Sequence, residues 1–216
     1  MGELGPSTPE FLRKNRAVKA SDIAAIFHEN AGTEKPLFLD IAGLEEERYS
    51  IALSEGPRTQ FSSLDWGFES KPAGSPSMEI PYGKEIYIVV LYGPKEVYLS
   101  VGEAEGSGFG VVASTEDRSP PSAFYLEDLT LKPDDPKLCF CENIRIKSLW
   151  GDKTTYLSVC SPGGDGSAFG LRMVEEAECD LESSTWRVKH GNDLLGTGIR
   201  AVGMDPAEFP PKPAGG

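Results

Sequence analysis

Two aromatic residues, Tyr92 and Trp150, each stand one position before a glycine, and Asp152 lies two positions after Trp150. Upstream, Asp65 directly precedes Trp66. An aromatic ring beside a carboxylate suits a carbohydrate: the C–H face of a sugar stacks on the ring, while the carboxylate accepts hydroxyl hydrogen bonds and fixes orientation. Tyr92 and Trp150 fall just before hairpin turns, where the chain should reach the surface. Trp150, Asp152, Tyr92, Trp66 and Asp65 are therefore the candidate ligand-binding residues. The competing role for each ring is packing in the core or at its rim.

The sequence assigns no catalytic residue. His28 and His190 are the only histidines, and neither has a nucleophile or carboxylate at a recognisable spacing. A Ser-His-Asp or Cys-His assembly formed in space stays open. With 34 acidic residues, a carboxylate pair fit for glycoside hydrolysis carries little information. Cys139 and Cys141 are one residue apart in a strand-like run and so point to one face of a sheet, where a bond between them would have poor geometry. Cys160 and Cys179 lie elsewhere, without Cys-x-x-Cys spacing, so the thiols read as small buried groups and neither metal nor cofactor is expected. The acidic runs Glu45-Glu46-Glu47 and Glu175-Glu176 to Asp180 lack the alternation of a calcium loop and read as solvated connections.

Charge narrows the partners. Lys plus Arg number 21 against 34 Asp plus Glu, for a formal net charge of -13, which disfavours nucleic acid and anionic membranes. The basic cluster of Arg13, Lys14, Arg16 and Lys19 reads as a solvated face or frayed tail. No run is long and apolar enough to span a bilayer, and Met1 to Pro9 does not resemble an export signal, so a cytoplasmic location is expected.

The elements that must position the candidate residues are repeated. Leu91 to Val101 aligns without a gap on Leu149 to Val159, with seven of eleven positions identical. Gly106-Ser107-Gly108-Phe109-Gly110 then matches Gly166-Ser167-Ala168-Phe169-Gly170. Each unit closes on an aromatic, Phe124 in one and Trp186 in the other. A more diverged unit runs through Leu37 to Ile41, Tyr49 to Leu53 and Asp65 to Phe68, so that Phe38, Tyr98 and Tyr156 fall about sixty residues apart.

Each unit reads as four short strands. In the middle unit they are Glu85 to Leu91, Val97 to Val101, Phe109 to Ser114 and Ser122 to Glu127; in the last, Glu142 to Leu149, Thr155 to Val159, Phe169 to Val174 and Thr185 to Lys189. Ile144, Ile146 and Ser148 alternate with Arg145 and Lys147, the period of a half-buried strand. Ile23 to His28 is either the opening strand or a helix; in the second case Thr197 to Val202 substitutes. The glycines around Phe109 and Phe169 are expected to allow positive φ and tight approach at the hairpin corner. Thr8-Pro9-Glu10 reads as a helix start, and the stretch after Met204, rich in Pro and Gly, as a disordered tail.

The Tyr-Leu-Ser-Val strand, the Gly-Ser-x-Phe-Gly corner and the closing aromatic resemble the lobes of fascin-like and ricin-B-like β-trefoils. The resemblance covers roughly residues 21 to 190 and implies an all-β chain: a single β-trefoil of three pseudo-repeats, with a short N-terminal extension and a disordered C-terminal tail. The corresponding boundaries are 1-20 for the extension, possible helix included, 21-203 for the trefoil and 204-216 for the tail, with lobes at about 21-78, 79-136 and 137-203. Leu39, Leu99, Leu157, Phe109, Phe169, Phe124, Trp186 and Trp66 would form its core. Where ricin-like lobes carry Gln-x-Trp, this chain reads Ser-Ala-Phe, Ser-Thr-Trp and Leu-Asp-Trp. The function implied is non-catalytic carbohydrate binding. A protein-binding trefoil using long loops such as Thr115 to Pro121 and Lys71 to Tyr82, as a protease inhibitor or a fascin-like cytoskeletal partner, is the first alternative, and a small-molecule enzyme on the same scaffold the second. The expected partner is thus a glycan or a protein.

Overall fold

The computed structural model describes residues 16–29, 36–45, 48–54, 65–70, 75–92, 95–105, 108–115, 122–130, 136–150, 152–160 and 170–190. Among them are twelve β-strands and no helix: β1 (Ala24–His28), β2 (Leu37–Glu45), β3 (Arg48–Ser54), β4 (Gly67–Ser70), β5 (Glu85–Tyr92), β6 (Lys95–Glu105), β7 (Gly108–Ser114), β8 (Phe124–Asp128), β9 (Asn143–Trp150), β10 (Lys153–Cys160), β11 (Gly170–Glu175) and β12 (Trp186–His190). The ambiguous opening segment is a strand, β1, buried along its whole length and paired on one side with β12 and on the other with β2. Thr8-Pro9-Glu10, Phe169, Thr197 to Val202 and the C-terminal stretch lie outside the described residues.

Strand pairing closes a ring. β1 pairs with β12, β12 with β9, β9 with β8, β8 with β5 and β5 with β4. Ala24 and Trp66 complete the circuit by exchanging backbone hydrogen bonds of 2.8 and 2.7 Å. The hairpins β2–β3, β6–β7 and β10–β11 stand on this barrel and join through β7, which pairs with both β3 and β11. Alternation explains which face is inside: Ile144 and Ile146 are fully buried and Ser148 nearly so, while Arg145 and Lys147 are half-exposed.

Two segments outside the expected strands take a different place from the one expected. Residues 16 to 20, taken as extension, and Met78 to Tyr82, taken as part of a variable loop, belong to the barrel floor. The Val18 amide donates to the Leu138 carbonyl at 2.8 Å, Leu138 to Ile80 at 2.8 Å, and Ile80 back to Val18 at 2.9 Å. A second set runs Ala20 to Met78, Tyr82 to Pro136 and Phe140 to Arg16 at 2.9 to 3.0 Å. All three central side chains are fully buried. Arg16, counted in the basic cluster, pairs with Asp22 at 3.0 Å and lies over the Phe140 ring.

Leu39, Leu99 and Leu157 are fully buried together with Phe124 and Trp186, and Trp66 is 1% exposed. Both indoles are satisfied inside: Trp66 Nε1–H donates to the Leu39 carbonyl and Trp186 Nε1–H to the Leu157 carbonyl, each at 2.8 Å. The glycine at the Phe109 corner serves close approach rather than positive φ. A Cβ on Gly108 would stand 2.6 Å from the Met173 carbonyl oxygen, whereas among the described glycines only Gly83 has positive φ.

Candidate functional site

The predicted residues fall in different places. Tyr92 ends β5 in backbone register with Lys95, and Trp150 ends β9 in backbone register with Lys153, so each hairpin closes on an aromatic–lysine register pair. Asp152 is exposed beside Trp150. Lys153 reaches across to Glu175, and that hydrogen bond raises its ammonium pKa. Trp66, by contrast, leaves the candidate set: a ring buried in the core and hydrogen-bonded at its only polar atom has no face for a sugar. Its neighbour Asp65 is half-buried, and burial pushes its carboxyl above the usual range.

A concave region elsewhere is built from residues that sequence spacing does not connect. A cleft of about 400 Å³ is lined by Glu29, Asn143, Leu181, Glu182, Thr185 and Arg187. Glu29 follows β1, Asn143 opens β9, and Arg187 pairs in register with Asn143 on β12. Leu181, Glu182 and Thr185 belong to the turn that enters β12. The Arg187 guanidinium is ion-paired with Glu29 and donates to the Cys141 carbonyl at 3.2 Å.

The entering turn is fixed by its own side chains. Asp180 accepts the Ser183 amide at 2.8 Å and the Ser183 hydroxyl at 2.7 Å, while its carbonyl accepts the Ser184 hydroxyl at 2.7 Å. Thr185 Oγ1 donates to the Leu181 carbonyl at 2.6 Å. These are the local bonds by which Asp, Ser and Thr favour turns over strands. The donated bonds from Ser183 hold the Asp180 carboxyl below the ordinary carboxylate value. Asp180, read from sequence as part of a solvated acidic run, thus has a structural task.

Behind the turn, buried His28 donates Nε2–H to the Glu182 carbonyl at 3.0 Å and meets Trp186 edge-on at 5.4 Å. On the outer side, Arg145 lies over the Tyr156 ring at 3.4 Å and donates to Ser184 Oγ and Cys179 Sγ at 3.1 and 3.3 Å. Burial, with Glu127 at the phenol, pushes the Tyr156 pKa up to about 12. All four cysteines are free thiols.

No family model matches the sequence, and neither does any curated protein. The fold is that of the β-trefoils. A ricin B-like lectin from Macrolepiota procera, solved in complex with lactose, is similar at TM-score 0.51 and 14% identity, over 81% of this chain and 99% of that one. The SDF2-like protein from Arabidopsis thaliana is similar at TM-score 0.54 and 12% identity, over 80% and 94% of the two chains. Winged bean albumin 1 is similar at TM-score 0.51 and 14% identity, over 82% and 98%.

Proposed function

We propose that this protein is a non-catalytic carbohydrate-binding β-trefoil made of three copies of one four-stranded unit, and that Trp150 with Asp152, and Tyr92 in the equivalent hairpin, contact the sugar. The observation that carries the reading is the β9–β10 tip, where Trp150 and Lys153 are partners in strand register and Asp152 between them in sequence is exposed. Tyr92 and Lys95 repeat the pairing at the β5–β6 tip. An aromatic, a cation and a carboxylate at one turn offer a stacking surface with hydrogen-bond donors and acceptors around it. Likeness to a lectin solved with lactose supports the reading at the level of the fold. The three-copy description is supported by the buried leucines Leu39, Leu99 and Leu157, and by Trp66 and Trp186 donating to the first and last of them at the same distance.

A glycan array with the full chain and its Trp150→Ala variant tests the proposal. Binding to a defined set of glycans, lost or weakened in the variant, is the expected result; an array without signal removes the reading.

A further inference from the structure

We propose that the cleft between β1, β9 and β12 is a second ligand site, distinct from the hairpin tips, and that it takes a neutral, hydroxyl-rich ligand of one or two sugar rings. The proposal rests on the carbohydrate-binding reading for the class of ligand, but its location comes from the cleft alone. Asn143 and Trp150 are the first and last residues of β9. At about 3.3 Å per residue they lie about 23 Å apart along one strand, so the two sites are separate and can be filled together.

The lining fits a polyol. Leu181 is 58% exposed and gives the cleft an apolar patch for a C–H face. The Asn143 amide both donates and accepts. Thr185 has committed its hydroxyl proton to the Leu181 carbonyl, so the same oxygen is left as an acceptor, and the Glu182 carboxylate is another. The volume, about 400 Å³, lies toward the small end of the span of about 300 to 1,000 Å³ typical of small-molecule sites. The turn is held in place by Asp180 and by the His28 bond to Glu182, so little ordering remains to be done on binding.

Charge sets the selectivity. The lining holds two carboxylates, Glu29 and Glu182, against one guanidinium, and Arg187 already serves Glu29 and the Cys141 carbonyl. A sialylated or sulfated sugar would meet net negative charge and compete with Glu29 for its cation. Neutral sugars meet no such opposition.

The test is an amide-resolved NMR titration of the full chain with galactose, mannose, N-acetylglucosamine, lactose and 3′-sialyllactose, repeated on Asn143→Ala, Leu181→Ala and Trp150→Ala. Thermal melts confirm folding; Asn143 and Leu181 are exposed, so their variants are expected to fold. The proposal expects a neutral saccharide to shift the Asn143, Thr185 and Arg187 amides, with about a tenfold weaker affinity in Asn143→Ala or Leu181→Ala and no change at this site in Trp150→Ala. It expects 3′-sialyllactose to bind there no better than lactose. If a saccharide binds but moves only residues near Trp150 and ignores both cleft variants, the cleft proposal is overturned while the lectin reading stands. If no saccharide moves either group, the cleft proposal is overturned, and the glycan array alone decides the lectin reading.

Discussion

The Val18 amide donates to the Leu138 carbonyl at 2.8 Å, and through that bond the start of the described chain is part of the barrel floor rather than an appendage. Because Leu138 donates onward to Ile80 and Ile80 back to Val18, the three segments hold one another in a closed circuit. Their buried polar groups are satisfied among themselves, which is what allows three apolar side chains to meet there without orphaned backbone.

The floor should therefore be sensitive to charge at Val18 and indifferent to it a few residues on. Val18→Asp places a carboxylate at a fully buried site and should cost about 3 kcal/mol or more. Ile23→Asp, at a side chain 55% exposed, should stay within about 0.5 kcal/mol. Urea unfolding of the two variants measures the contrast, and equal losses would contradict the closed floor.

The indole donors make a second prediction. Trp66→Phe and Trp186→Phe would each leave a buried carbonyl, of Leu39 or Leu157, without its donor. Each should cost at least about 1–3 kcal/mol for the orphaned acceptor. Trp66→Phe should leave the ligand profile on a glycan array unchanged, since that ring is core. A change in glycan profile at unchanged stability would return Trp66 to the binding site.

These residues also show what sequence could and could not reveal. The hairpins were legible because strand alternation and turn chemistry are local: Ile144, Ile146 and Ser148 face inward as their period requires. The observed strands differ from the expected ones by a few residues at their ends, for example β6 running to Glu105 rather than Val101. The floor was not legible. Val18, Ile80 and Leu138 lie in segments too short to show a period, joined by isolated bridges rather than by a ladder. Trp66 was ambiguous because an aromatic before a glycine looks alike whether its ring points in or out. The cleft escaped because Glu29, Asn143 and Leu181 to Arg187 meet only once β1, β9 and β12 pair.

Cys141 carries backbone strain that a substitution can read. Its φ is 68°, in the left-handed region, and its amide donates to the Val188 carbonyl at 2.7 Å. Gly83 shows the same geometry, with φ 66° and an amide donating to the Leu126 carbonyl at 3.0 Å. Glycine accepts that conformation freely, whereas a side chain there costs about 1 kcal/mol and a β-branched one more. Stability measured by denaturant should rank Cys141→Gly above the parent and Cys141→Val below it by about 1–2 kcal/mol. A valine variant as stable as the parent would show the strain to be absent.

Gly108 tests close packing between hairpins. An added Cβ would lie 2.6 Å from the Met173 carbonyl oxygen, a backbone atom that cannot swing aside. Gly108→Ala should cost about 1–3 kcal/mol through displacement of β7 from β11. Gly83→Ala meets no atom within 4 Å but must hold φ at 66°, so any loss there comes from backbone strain. A neutral Gly108→Ala would mean that β7 and β11 are free to separate.

The cleft turn should weaken in acid through Asp180. Its carboxyl is held below the ordinary value of 3.8 by the bonds from Ser183, so between the two values the unfolded chain binds more protons than the folded one. The stabilisation is therefore complete above the unfolded value and is lost as pH falls through the lower folded value. Asp180→Asn abolishes the charge and with it this dependence. Thermal melts of parent and variant from about pH 5 to about pH 2 should show the parent losing stability more steeply. The gap is expected to be small, because Asp180 is exposed and water competes for its bonds. Parallel curves would mean that the Ser183 bonds do not persist in solution, and the turn that lines the cleft would then need another anchor.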